Sequence, residues 1–239
     1  GHKVVVAEAK PSVARKFLMA GKSGLNLTKD EPLETFLAAY EEAEEHLSPM
    51  VSAFGPREAV AWAEGLEQEM FSGSTGRVFP KVMKASPLLR NWIAKLAAQG
   101  VEIKTSHRWI GVDDGFVFET LAGNVNFHAD AVVLACGGSS WARLGSDGAW
   151  VDLLDVPIAQ IKPANMGFEV AWSDHMKKHF GHPVKGVRLM ASDRESRGEF
   201  VISETGIEGG GIYALSRHIR DGEALKIDLL PDQREGGIR

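Results

Sequence analysis

Among 239 residues the chain has a single cysteine, Cys136. One cysteine excludes an internal disulfide framework and an all-cysteine zinc site, and it fits a reducing cytoplasm. A basic excess is also missing. Lys and Arg number 27 against 32 Asp and Glu, a net charge of −5, so no field attracts nucleic acid or an anionic membrane. No apolar run approaches a membrane span. Residues 1–9 do not form a signal peptide, because their apolar run is short and Glu8 interrupts it. What remains is the composition of a globular protein with one large core or two smaller ones.

One more absence is informative. Val4-Val5-Val6-Ala7 is a short apolar strand ending on Glu8. A carboxylate at the carboxyl end of a buried parallel strand holds an adenosine ribose by accepting its hydroxyl protons. That acid normally follows a G-x-G-x-x-G loop by about 20 residues, and position 8 leaves no room for one. With Gly1 in place of methionine, the chain reads as a piece of a larger protein, truncated at both ends and entered partway through its first βαβ unit.

After Glu8 comes Arg15-Lys16-Phe17-Leu18-Met19-Ala20-Gly21-Lys22-Ser23-Gly24-Leu25-Asn26-Leu27-Thr28. Gly21-Lys22-Ser23 has the tail of a Walker-type phosphate loop, but Lys16 occupies the position that needs the first glycine. Two readings stay open. The segment brings backbone N–H groups and the charges of Arg15 and Lys16 to a pyrophosphate, with Gly21 and Gly24 allowing close approach, or it is a polar surface loop.

Apolar spacing predicts helices over 33–48, after Pro56, and from Ser86-Pro87 to about Gly100. Residues 101–105 alternate as a strand. Three strands over 108–113, 116–120 and 125–128 read as an antiparallel meander, turning at Asp114-Gly115. Asp130–Ala135 is a nearly continuous apolar run, as in a parallel strand buried on both faces, and it ends in Cys136-Gly137-Gly138. A helix is expected over 147–154. Beyond Lys162-Pro163 strands are expected at 166–172, 185–190, 199–203 and 225–230, with a helix through Arg220. The expected fold class is α/β: a Rossmann-like domain over 1–162, lacking its first strand and glycine loop, and an incomplete β-rich inserted domain over 163–239.

Four ordered blocks resemble the BaiN/YhiN-like family of FAD-dependent flavoproteins. They are Glu8 with Arg15–Thr28; Gly76-Arg77-Val78-Phe79-Pro80 with Lys84-Ala85; Ala135–Gly138 with Gly145-Ser146-Asp147-Gly148; and Gly198-Glu199-Phe200 with Thr205–Gly210. The resemblance implies an FAD-dependent oxidoreductase, with NAD(P)H as the reductant and an organic acceptor. It implies that Glu8 binds the ribose, that Arg15, Lys16, Gly21, Gly24, Asn26 and Leu27 line the pyrophosphate and flavin side, that Trp109 neighbours the adenine, and that Gly137 and Gly138 pass close to the cofactor. Many members carry Gly-Gly-Gly-Arg-Cys-Asn where this chain has Gly21-Lys22-Ser23-Gly24-Leu25-Asn26, and threonine at position 136. The alternative is a module that binds FAD for structure or sensing, without turnover.

Other features have plainer readings. Cys136 is a small packing residue beside a glycine turn rather than a redox thiol. His175, His179 and His182 form a solvated cluster, since Gly181 and Pro183 break the helix a metal pair would need. Gly209-Gly210-Gly211 is either an anion-binding helix start or a sharp turn for packing. Arg77 is a contact to flavin or substrate, or an exposed arginine.

Overall fold

A computed structural model describes residues 1–22 and 24–233, so Ser23 of the basic loop lies outside the described residues. The chain divides into two compact units, Gly1–Ile158 and Ala159 onward. Among the described residues, no helix is long and apolar enough to cross a membrane.

The first unit opens with β1 (Val5–Glu8) and α1 (Arg15–Ala20), then β2 (Thr28–Lys29). The helix expected over 33–48 is two helices, α2 (Leu33–Ala38) and α3 (Glu44–Ala53), separated by a 3-10 turn over Glu41–Ala43. A continuous helix would stack Glu41 against Glu45 at i, i+4, where like charges repel; instead Glu41 turns to a φ of 50°. In α4 (Pro56–Glu64), the Glu58 carboxylate accepts the Gly55 N–H at 2.9 Å and proline sits at the first helical position. Two short strands follow that the sequence pattern did not signal, β3 (Met70–Ser72) and β4 (Arg77–Pro80). With β2 they form an antiparallel sheet in which β4 is central. α5 (Ala85–Ala98) starts one residue before the expected Ser86 cap and buries Leu88 and Leu89. A compact helical core gathers Leu25, Ala63, Leu66, Ala85 and Leu88, with Phe17, Leu27, Trp62 and Trp92 packed against it.

β5 (Glu102–Thr105) then pairs with β1 in parallel, Val5 opposite Glu102 and Glu8 opposite Thr105. The meander is as expected: β6 (Arg108–Asp113), β7 (Gly115–Thr120) and β8 (Gly123–Phe127) form an antiparallel sheet in chain order. Two expectations fail. The 130–135 run forms no strand, and Val133 is 88% exposed. β1 is not buried either, with Val4, Val5 and Val6 each at least 38% exposed. Both failures have one cause. Among the described residues β1 has a ladder partner only on the β5 side, and 130–135 has none, and an apolar strand is buried only when neighbours cover its faces. The helix expected over 147–154 is a 3-10 helix, Ala149–Leu153.

The second unit is an antiparallel sheet of β9 (Phe168–Glu169), β10 (Pro183–Ala191), β11 (Arg194–Ser203), β12 (Gly206–Glu208) and, after the short helices α6 (Gly210–Tyr213) and α7 (Ser216–Arg220), β13 (Lys226–Asp228). The strand order is β13-β10-β11-β12-β9. Val187, Leu189 and Ala191 alternate onto the inner face of β10 and meet Phe200, Ile202, Ile207, Ile212 and Leu215. Each of the larger side chains contributes about 1.5–3 kcal/mol on burial. The Gly209–Gly211 run is a packing device: a Cβ on Gly211 would collide with the Leu189 side chain and stand 2.8 Å from the Glu199 carbonyl oxygen.

Gly211→Ala is therefore expected to destabilise the protein by about 1–3 kcal/mol through overpacking, read as a lower denaturant midpoint in chemical unfolding. Gly222→Ala, where a Cβ meets nothing within 4 Å but φ is +109°, is the milder control, costing about 1 kcal/mol of backbone strain.

Candidate functional site

Glu8 ends β1, and its Oε1 accepts the Lys10 N–H at 2.8 Å. Backbone bonds pin the same corner to the chain after β5: His107 N–H donates to the Glu8 carbonyl at 2.9 Å and Ser106 N–H to the Lys10 carbonyl at 3.0 Å. The carboxylate thus stands at the carboxyl end of a parallel pair, half-buried, on a fixed backbone.

Lys16 begins its reach from the first turn of α1. Its Nζ donates to Ser140 Oγ at 2.8 Å and to Ser146 Oγ at 3.2 Å, partners 124 and 130 residues away. These neutral hydroxyls are its partners among the described residues; no carboxylate there neutralises the ammonium. Ser146 is 4% exposed, and its hydroxyl donates to the Gly138 carbonyl at 3.2 Å. The Trp150 indole N–H holds the Gly137 carbonyl at 2.8 Å. Asp147 completes the loop: Ala149 N–H, at 3.2 Å from its Oδ1, and Arg108, 3.4 Å from its Oδ2, hold its carboxyl below the usual carboxylate range.

The two glycines of the turn differ. Gly137 has a φ of +77°, and a Cβ there would lie 2.8 Å from Ser146 Oγ, so the protein's own packing requires glycine. At Gly138 a Cβ would meet nothing within 4 Å. Its missing side chain leaves open space against the turn.

Lys16 reaches the hydroxyl that is bonded to Gly138, and Lys10, whose N–H is bonded to Glu8, has its side chain 3.3 Å from a Cβ position on Gly145, next to Ser146. Other expected site residues have structural work. Gly21 is buried against Ala85, where a Cβ would overlap the Ala85 side chain, so its close approach is to α5. Gly24, with φ +128°, abuts Met83. Leu27 packs on the helical core and its N–H donates to the Val78 carbonyl at 2.9 Å, while Asn26 is exposed. Arg15 is the first residue of α1 and half-buried. Trp109 spends its indole N–H on the Gly111 carbonyl at 2.7 Å and sits 6.2 Å from the Phe116 ring. Arg77 is exposed on β4 opposite Lys29.

Ser140, Ser146 and Trp150 carry the site and were not singled out from sequence. The signal was there for Ser146, a lone hydroxyl between Gly145 and Gly148, but nothing local tells that it reaches back to residue 16. In the second unit a cleft of about 260 Å³ is lined by Phe168, Glu169, Ser203, Thr205 and Glu208; none of the expected site residues lies there.

The profile of the HI0933-like protein Rossmann domain matches residues 1–236. The chain is similar to the 3-dehydro-bile acid delta(4,6)-reductase of Clostridium scindens, with 28% identity over an alignment covering 99% of this chain and 60% of that protein. It therefore spans less than two thirds of that relative's length. The parallel pair closed by an acid, the glycine turn behind it and a family match across almost every residue lead to one conclusion: the chain belongs to the HI0933-like Rossmann-domain family.

Proposed function

We propose that this chain forms the dinucleotide-holding part of an FAD-dependent oxidoreductase that takes NAD(P)H as reductant and a small organic molecule as acceptor, in the cytoplasm. The domain over 1–162 binds FAD, and the β-rich domain over 163–239 is inserted into it. The observation that carries the reading is Lys16, an ammonium held at a glycine turn by neutral hydroxyls, with no carboxylate to neutralise it among the described residues. An ammonium has three donors; two are used here, and its full charge faces an anion.

The donor set fits FAD. Glu8 accepts the ribose hydroxyls. Lys16, with Arg15, neutralises the diphosphate. Gly138 lets the backbone approach, since no Cβ stands in the open space beside it. Gly137 keeps that turn in shape, Asn26 is exposed on the flavin side, Gly21, Gly24 and Leu27 seat its loop on α5, Met83 and the helical core, and Trp109 closes the adenine side. When bound, FAD supplies the redox chemistry; the residues supply binding, orientation and charge. The reductase named among the relatives supports an organic acceptor. Cys136 takes no part in this reading, because burial raises its thiol pKa and little thiolate exists at neutral pH.

Purified full-length protein tests this directly. Bound flavin is expected to bleach anaerobically with NADH or NADPH and to recover its colour with an acceptor; a flavin that no reductant touches overturns the enzyme reading in favour of a sensing or structural module. Glu8→Ala is expected to weaken FAD by at least about tenfold, since charge-assisted hydrogen bonds contribute about 1.5–3 kcal/mol each, and fluorescence titration measures it. For Cys136, alkylation by iodoacetamide is expected to be slower at neutral pH than that of free cysteine and to accelerate only in the alkaline range as the thiol ionises, followed by mass spectrometry.

A further inference from the structure

We infer that Ser146 is the positioning residue of the diphosphate corner: it holds the Lys16 ammonium over the Gly137-Gly138 turn, and acts on the ligand only through that lysine. The inference rests on the FAD reading above. A lysine on its four-carbon stem is a mobile point charge, so a lysine that must meet a diphosphate at one place needs an anchor. Ser146 has the properties of one. It is 4% exposed, so its hydroxyl does not exchange partners with solvent. A hydroxyl has a single hydrogen. Here it is given to the Gly138 carbonyl at 3.2 Å, which leaves a lone pair for the Lys16 Nζ at 3.2 Å. The direction of both bonds is thereby fixed, since the ammonium can only donate. Ser140, the other partner of Lys16, is exposed and lies on the turn itself, so it follows the turn rather than fixing it.

The surroundings are built for this hydroxyl. Glycine at 137 leaves the space into which Ser146 Oγ fits, 2.8 Å from where a Cβ would stand. At Gly145, with φ +106°, a Cβ would stand 3.3 Å from the Lys10 side chain, and the Lys10 N–H is bonded to the Glu8 carboxylate. Ser146 therefore sets the ammonium and the glycine turn relative to each other.

A double-mutant cycle separates this from a merely structural role. Flavin-free full-length protein is titrated with FAD and with ADP by calorimetry, as wild type, Lys16→Met, Ser146→Ala and the double variant. Lys16→Met is expected to weaken ADP by about tenfold and Ser146→Ala by about fivefold. The double variant is expected to bind no more weakly than Lys16→Met alone. Losses that multiply in the double variant, or a Ser146→Ala protein with unchanged ADP affinity, overturn the inference while leaving the FAD reading intact. Wild-type protein that binds neither FAD nor ADP overturns the FAD reading and this inference with it. Should Ser146→Ala fail to fold, Ser146→Cys preserves the side chain's shape with a weak donor and is read in the same cycle.

Discussion

The candidate site depends on one long-range interaction, the reach of the Lys16 ammonium to the hydroxyls of Ser140 and Ser146. It joins the first helix to a turn more than 120 residues later. The Glu8 corner meets the same loop by a second route, through His107 and the Arg108–Asp147 contact. An ammonium among neutral oxygens is weakly satisfied, because a hydroxyl dipole offsets only part of the lost hydration of a charge. Binding sites hold their charges in this way: the interaction that completes the arrangement is left to the ligand.

The frame around that interaction divides the labour. The β1–β5 pair fixes the height of Glu8. The helical core under Leu25, Leu66 and Leu88 fixes α1, and with it the origin of the Lys16 side chain, because Gly21 lets α1 sit directly on α5. The meander contributes through Arg108, whose contact with Asp147 ties β6 to the loop that carries Ser146. Glu8 and Lys16 are thus presented by a strand and a helix, while the glycine turn and Ser146 lie on loops, as expected where backbone must come close to a ligand.

Much of this was legible in the sequence, and what was not has physical reasons. The meander was plain because alternation and an Asp-Gly turn are local signals. Glu8, Lys16 and Gly137-Gly138 form a set only through the family resemblance, since no local signal links residues so far apart. Gly21 and Gly24 show the limit of that reasoning: a glycine marks close approach, but not what approaches, and here it is α5 and Met83. β2, β3 and β4 were missed because strands of two to four residues are too short for a period. The 130–135 run misled for a different reason. Its composition is that of a covered strand, but among the described residues no strand pairs with it and its apolar side chains are exposed. Ser146 escaped because its meaning lies in a partner 130 residues away.

The central claim is that the Lys16 charge meets a dinucleotide diphosphate at the glycine turn. Phosphorus NMR of FAD bound to the full-length protein, compared between wild type and Lys16→Met at ligand saturation, tests it most directly. The two diphosphate resonances are expected to move when the ammonium is removed. Identical phosphorus spectra for the two bound proteins would contradict it.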